Sequence, residues 1–141
     1  MIDLRFLRIS QKGLYALQAL IVLARHYSNG VVKCHIIAEE EGLPRKFLEV
    51  ILHDLNRGQF VTSKRGAAGG YKLKRAPNTI FLGEVLRTID QPFATSEDMG
   101  TPQGLAESAA SRRSLSRVLQ EVSAATEQIL DRTSIADLCA K

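Results

Sequence analysis

Residues 36–58 read IIAEEEGLPRKFLEVILHDLNRG, and the way this stretch folds decides the rest of the chain. Ile36, Ile37 and Glu39 to Glu41 suit a short helix stopped by Gly42, because glycine enters the left-handed conformation of a helix end without a Cβ penalty. Pro44 restarts a helix, since a first-turn residue has no use for the N–H that proline lacks. In this second helix Leu48, Ile51, Leu52 and Leu55 fall at i, i+3, i+4 and i+7 and form one apolar stripe. Arg45, Lys46, Glu49, His53 and Asn56 occupy the opposite side. Helix, glycine turn and second helix with a polar outer face is the helix-turn-helix arrangement.

Downstream, Gly58 closes the helix. Phe60 to Lys64 and Tyr71 to Lys74 then read as two strands joined by Arg65-Gly66-Ala67-Ala68-Gly69-Gly70, a hairpin with a basic, glycine-rich tip, or wing. Ile80 and Leu82 lead into a further helix with Leu82, Val85, Leu86 and Ile89 on its inner face, ended by Gln91-Pro92. Upstream, Ser10 is a good N-cap. Leu14, Leu17, Ile21 and Ala24 predict a first helix to about Tyr27, and Val31 to Lys33 a short strand. Residues 91–104 turn to Pro, Thr, Ser, Gly and acids, the composition of a mobile loop. A long helix follows from about Leu105 or Ser111 to Asp131, with Leu115, Val118, Val122, Ala125 and Ile129 on one stripe. Two heptads fall short of a coiled coil, yet the stripe needs a partner, and a second subunit offers one. The expected fold is mainly α with a small β-wing: an N-terminal extension (1–9), a winged helix-turn-helix (10–90), a flexible loop (91–104), and a long dimerisation helix with a short C-terminal helix (105–141).

At 141 residues, 45% of them hydrophobic and 24% charged, the chain is long enough for one real core and too short for two ordinary domains. Its two cysteines, Cys34 and Cys139, form neither a CxxC pair nor a spaced series of the kind that builds a zinc site or a disulfide framework. A reduced, cytoplasmic setting fits that usage. Gly13 to Ala24 imitates a secretory signal, but Gln18 interrupts it and Arg25-His26-Tyr27 stands where small residues should be cleaved. The stretch also falls short of the ~20 apolar residues that cross a bilayer, so no membrane association is expected.

Charge is unevenly spread. Residues 44–75 carry eight basic side chains against Glu49 and Asp54, a local balance of +6 in a chain of net +4, which leaves the remainder at −2. A basic segment on a mildly acidic body is the footprint of a nucleic-acid contact surface. Arg45, Lys46 and Glu49 stand in the first turns of a helix that fits the major groove of double-stranded DNA, where Arg or Lys prefers guanine and Glu accepts from a cytosine amino group. His53 and Arg57 lie further along, at backbone reach. Lys64 and Arg65 at a hairpin tip of small residues suit a narrow minor groove, with Lys72 and Lys74 adding phosphate contacts. A charged outer helix face is by itself an ordinary solvated surface. The order helix, turn, helix, basic hairpin is what points to DNA.

The segment Arg65-Gly66-Ala67-Ala68-Gly69-Gly70-Tyr71 resembles the RGxxGGY wing of the bacterial Rrf-type winged-helix transcriptional regulators, the IscR, NsrR and CymR family. Ser10 to Leu17 is similar to that family's S-K-G-x-Y-A opening, Phe47 to Leu52 to Y-L-E-Q-L-L, Leu82 to Asp90 to L-G-E-V-I-R-A-I-E, and Thr133 to Leu138 to T-T-L-A-D-L. The resemblance implies a homodimer paired through the long helix and bound to a palindromic operator. By position it places Pro44, Lys46, Phe47 and Glu49 at the major groove and Arg65-Gly66 at the minor groove. Pro44 stands where the family has serine and Phe47 where it has tyrosine, so two hydroxyls are missing. Many relatives hold an iron–sulfur cluster through three cysteines after the fourth helix; residues 91–111 contain none, so no cluster of that type and no other cofactor is expected.

A repressor follows, because a protein on promoter DNA without an activation surface blocks polymerase. A regulatory module that binds a protein through its winged helix is the alternative, and redox sensing through Cys34 another. Cys34 and His35 are neighbours on a helix, so they point apart and chelate poorly. A small-molecule effector is to be sought at the 91–104 loop or in a pocket beside the long helix. The glycine loop lacks GxxxxGK[ST], and no nucleophile, base and orienting acid cluster, so catalysis is not expected.

Overall fold

The computed structural model describes residues 9–90 and 110–139. The loop expected at 91–104, and all of the expected N-terminal extension except Ile9, lie outside them. The first helix, α1 (Gln11–Arg25), starts where predicted: Ser10 Oγ accepts the Gly13 N–H at 2.9 Å. It buries Ala16, Leu17, Ala19, Leu20, Val22 and Leu23 at the centre of the molecule. It ends two residues before the expected Tyr27, in a 3-10 turn over Tyr27–Asn29. His26, the C-cap of α1, meets the Glu40 carboxylate at 3.2 Å.

The strand expected over Val31 to Lys33 shrinks to a single bridge at Val32, which exchanges two backbone hydrogen bonds with Tyr71 at 2.7 and 2.8 Å. Lys33 is already the N-cap of α2 (Cys34–Glu41), so the chain turns helical before a strand can extend. Gly42 ends α2 in the left-handed conformation (φ 63), and the N–H of buried Leu43 returns to the Ala38 carbonyl at 2.9 Å. Pro44 is the extended N-cap of α3 (Arg45–Arg57) rather than a residue of its first turn. The predicted stripe Leu48, Ile51, Leu52 and Leu55 is fully buried.

Gly58 closes α3, but in a right-handed conformation (φ −78), and the left-handed residue is Gln59 (φ 68). Glycine serves close approach here: a Cβ at 58 would stand 2.9 Å from the Thr88 methyl. The wing follows as β1 (Val61–Lys64) and β2 (Gly70–Leu73), antiparallel, with Val61 opposite Leu73 and Lys64 opposite Gly70. Val61 and Leu73 are buried and anchor the hairpin to the core. At Gly70 (φ 155) any side chain would press within 2.6 Å of the Val32 carbonyl oxygen, so only glycine lets β2 pass the Val32 bridge.

A 3-10 turn over Pro77–Thr79 leads into α4 (Leu82–Ile89), which buries Val85, Leu86 and Ile89; Leu82 is only half-buried. Glu84 binds α4 to the wing's exit: it takes both Arg75 guanidinium nitrogens at 2.8 and 3.1 Å and accepts the Phe81 N–H at 3.2 Å. The long helix α5 is described over Ala110–Arg132 and is held to α4 by Arg87 and Asp131 at 2.7 Å. The chain then returns to its beginning. Ser134 and Asp137 cap each other's backbone N–H at 2.9 and 3.2 Å and start α6 (Ile135–Cys139). Ile135 is fully buried, its N–H bound to the Ile80 carbonyl at 2.9 Å. Cys139 is half-buried against α1, its Sγ 3.7 Å from the Ile21 carbonyl.

Among the described residues no helix is long and apolar enough to cross a membrane. On α5 the predicted stripe faces solvent: Leu115, Val118 and Ile129 are each more than half exposed, Ala125 is exposed, and Val122 is half-buried.

Candidate nucleic-acid interface

With four leucine and isoleucine side chains fixed inward, α3 turns Arg45, Lys46, Phe47, Glu49, Val50, His53 and Arg57 outward, and all are exposed, as is Pro44 before them. Arg45 Nε meets Glu49 Oε1 at 3.6 Å one turn away, with both side chains more than half exposed. Such a surface pair is worth at most ~1 kcal/mol, so it yields readily to a stronger partner. Lys46 has no ion-pair partner among the described residues. Phe47 packs its ring edge-on against Tyr15 of α1, centroids 5.8 Å apart, which fixes one side of the helix's outer face.

The wing is placed against this helix. Asn56 Nδ2 donates to Ser63 Oγ at 3.4 Å, linking the end of α3 to β1. Tyr71 of β2 lies close enough to Cys34 and Glu49 for their charges, after burial, to push its phenol up. The first turn of α2, the outer face of α3 and the base of the wing therefore border one another. Lys64, Arg65, Gly66 and Lys72 are exposed, and the three cations among them have no ion-pair partner among the described residues. The wing turn is closed by the Gly69 N–H on the Gly66 carbonyl at 2.9 Å, with Arg65 exposed immediately before it.

Two other basic residues of the segment, Lys74 and Arg75, serve the fold. Lys74 binds the side chain of Gln59, and Arg75 stacks over Phe60 at 5.7 Å while paired to Glu84. Arg57 borders a surface hollow of about 390 Å³ with Lys12, Asp54, Thr88 and Ile89, where Lys12 holds Asp54 at 2.6 Å. A smaller hollow of about 260 Å³ lies at the turn between α2 and α3, lined by His35, Ala38, Glu39, Leu43 and Arg45. Neither of these two hollows is lined by residues of the long helix. Two contributors escaped the sequence reading: Tyr15, which braces Phe47, and Val50, an apolar residue off the buried stripe. Val50's phase on the helix was the available signal.

Cys34 is the first residue of α2 and half-buried; burial, and then the Glu49 carboxylate, push its thiol up, against a smaller opposing effect of Arg45. That is the reverse of what a reactive thiolate needs.

A helix-turn-helix with its outer face open, bordered by a cationic wing, defines a DNA-binding transcription regulator of the winged-helix class. The profile of the Rrf2 family, described as iron-dependent transcriptional regulators, matches residues 9–141, and the chain belongs to that family. It is similar to the HTH-type transcriptional regulator Rv1287 of Mycobacterium tuberculosis strain H37Rv, with 36% identity over 132 residues, 94% of this chain and 81% of that protein. Among solved structures it is similar to CymR of B. subtilis, titled that organism's global cysteine regulator, with a TM-score of 0.79 and 28% identity over 99% of this chain and 98% of that one. IscR of T. potens aligns with a TM-score of 0.73 and 32% identity, covering 94% of this chain and 86% of that one. The fold is thus the winged helix that the sequence predicted, with the long helix present.

The family's description raises the question of iron. The chain has two cysteines in all, one beginning α2 and the other in α6 against Ile21. A three-cysteine ligand set cannot be drawn from them. Among the described residues no three His, Cys, Asp or Glu side chains come together as a metal site. The donor set does not fit a cluster of that kind.

Proposed function

We propose that the protein is a homodimeric repressor that binds a palindromic operator without an iron–sulfur cluster. In this reading α3 enters the major groove with Pro44, Arg45, Lys46, Phe47 and Glu49 at base edges and His53 and Arg57 at the backbone. Lys64, Arg65 and Gly66 enter the adjacent minor groove, and Lys72 neutralises a phosphate. The observation that carries the reading is the pairing of two open cationic elements, Lys46 on α3 and Lys64 with Arg65 on the wing, on bordering surfaces while Lys74 and Arg75 are engaged in the fold. The exposed α5 stripe supports the dimer, since more than half of Leu115, Val118 and Ile129 stays in water in a single chain.

The test is selection of duplexes from a randomised pool by the purified full chain. Enrichment of one inverted repeat, with half-sites about one helical turn apart, supports the reading. A pool that stays random through successive rounds overturns it.

A further inference from the structure

We propose that Val50 reads the C5-methyl group of a thymine in the major groove, so that each operator half-site carries an A·T pair beneath it. The proposal rests on the DNA reading above and names a specificity determinant within it. At about 100° per residue, the buried Leu48, Ile51, Leu52 and Leu55 set the inward direction of α3, and Lys46, Val50, His53 and Arg57 fall within about 30° of straight outward. Three of these four are polar or basic. Val50 is the apolar one, 56% exposed between cations one turn before and two turns after it.

An isolated exposed valine is ordinary; one at the crest of a groove-facing row is not. Its neighbour at i−3, Phe47, is 46% exposed and braced by Tyr15, whose hydroxyl accepts from Gln11 Nε2 at 2.7 Å. The outer face of α3 is thereby divided: Lys46, Glu49 and His53 form a polar half toward the wing, and Phe47 and Val50 lie on the half toward α1, where the carboxylate of Asp54 is paired with Lys12. The thymine methyl is the one apolar group that base edges offer in the major groove. Valine's branched side chain holds a preferred rotamer in a helix, so its methyls are positioned before contact. It has neither donor nor acceptor, so a guanine, cytosine or adenine edge pressed against it would lose water without replacement. Basic Lys46 and Arg57 on the same row favour a polyanion over an apolar protein partner.

The test uses the duplex selected by the full chain, with each thymine replaced singly by deoxyuridine, which keeps the hydrogen-bonding edge and removes the methyl. Affinity is read by fluorescence anisotropy. One thymine per half-site is expected to show a loss of about three- to five-fold, the worth of a buried methyl group. Val50→Ala should bind the thymine duplex as weakly as the unmodified chain binds the uracil one, and should no longer distinguish the two; Val50→Ile should keep the distinction. Equal binding of every uracil-substituted duplex by the unmodified chain, or an undiminished loss in Val50→Ala, overturns the proposal and leaves sequence-specific binding standing. Binding that ignores sequence altogether overturns the DNA reading and this inference with it.

Discussion

Arg65 and Arg75 show how one residue type takes two roles ten positions apart. Arg65 sits immediately before the wing turn with no ion-pair partner among the described residues, so its charge is free for a phosphate or a narrow groove. Arg65→Ala is expected to weaken operator binding about ten- to hundred-fold, measured by anisotropy, with an unchanged far-ultraviolet spectrum and melting curve; unaltered affinity would take the wing out of the mechanism. Arg75 is committed to Glu84, and its hydrogen bond to the Glu84 carboxylate holds that group below the ordinary glutamate value. A carboxylate depressed in the folded state adds stability that is whole above the unfolded value of about 4.3 and is lost as pH falls through the lower folded value. Glu84→Gln should therefore be less stable than the parent at neutral pH and should lose less stability on acidification below about pH 4, in denaturant melts at a series of pH values. Counting charges over 44–75 did not separate these roles. The partner that decides Arg75's role lies nine residues downstream, and Lys74 is held by Gln59, whose left-handed backbone no propensity foretold.

The elements were more legible than their joints. Stripes at 3.6-residue spacing gave α3 and α5, and alternation bounded by glycines gave the wing, because periodicity records which side of an element meets the core. The short strand at Val31 to Lys33 was overestimated because β-branched residues favour strands locally, whereas Lys33 is claimed by the start of α2. The seating of α6 against α1 was not legible either, since Cys139 meets Ile21 across more than a hundred residues of chain. The α5 stripe belongs to this scale. Val118→Lys replaces an exposed apolar residue at its middle and should leave the single chain folded while shifting a dimer to monomer in sedimentation velocity. A variant that sediments as the parent does would place the subunit contact elsewhere.

For the whole molecule, the core sets α3 and the wing side by side, as the proposed reading of two grooves of one duplex requires, and a pair of subunits would double the number of contacts. A local balance of +6 over 44–75 on an otherwise slightly acidic chain directs that surface to the polyanion. A cluster held by three cysteines of one chain does not fit this donor set, since the sequence has two. The most direct measurement is anisotropy competition between the selected inverted repeat and a scrambled duplex of equal length, over a series of salt concentrations. Sequence-specific reading predicts a preference of about a thousand-fold or more at physiological salt, with affinity for both duplexes falling about 0.9 in log–log slope for each phosphate contacted. Equal affinity for the two duplexes at every salt concentration would contradict it.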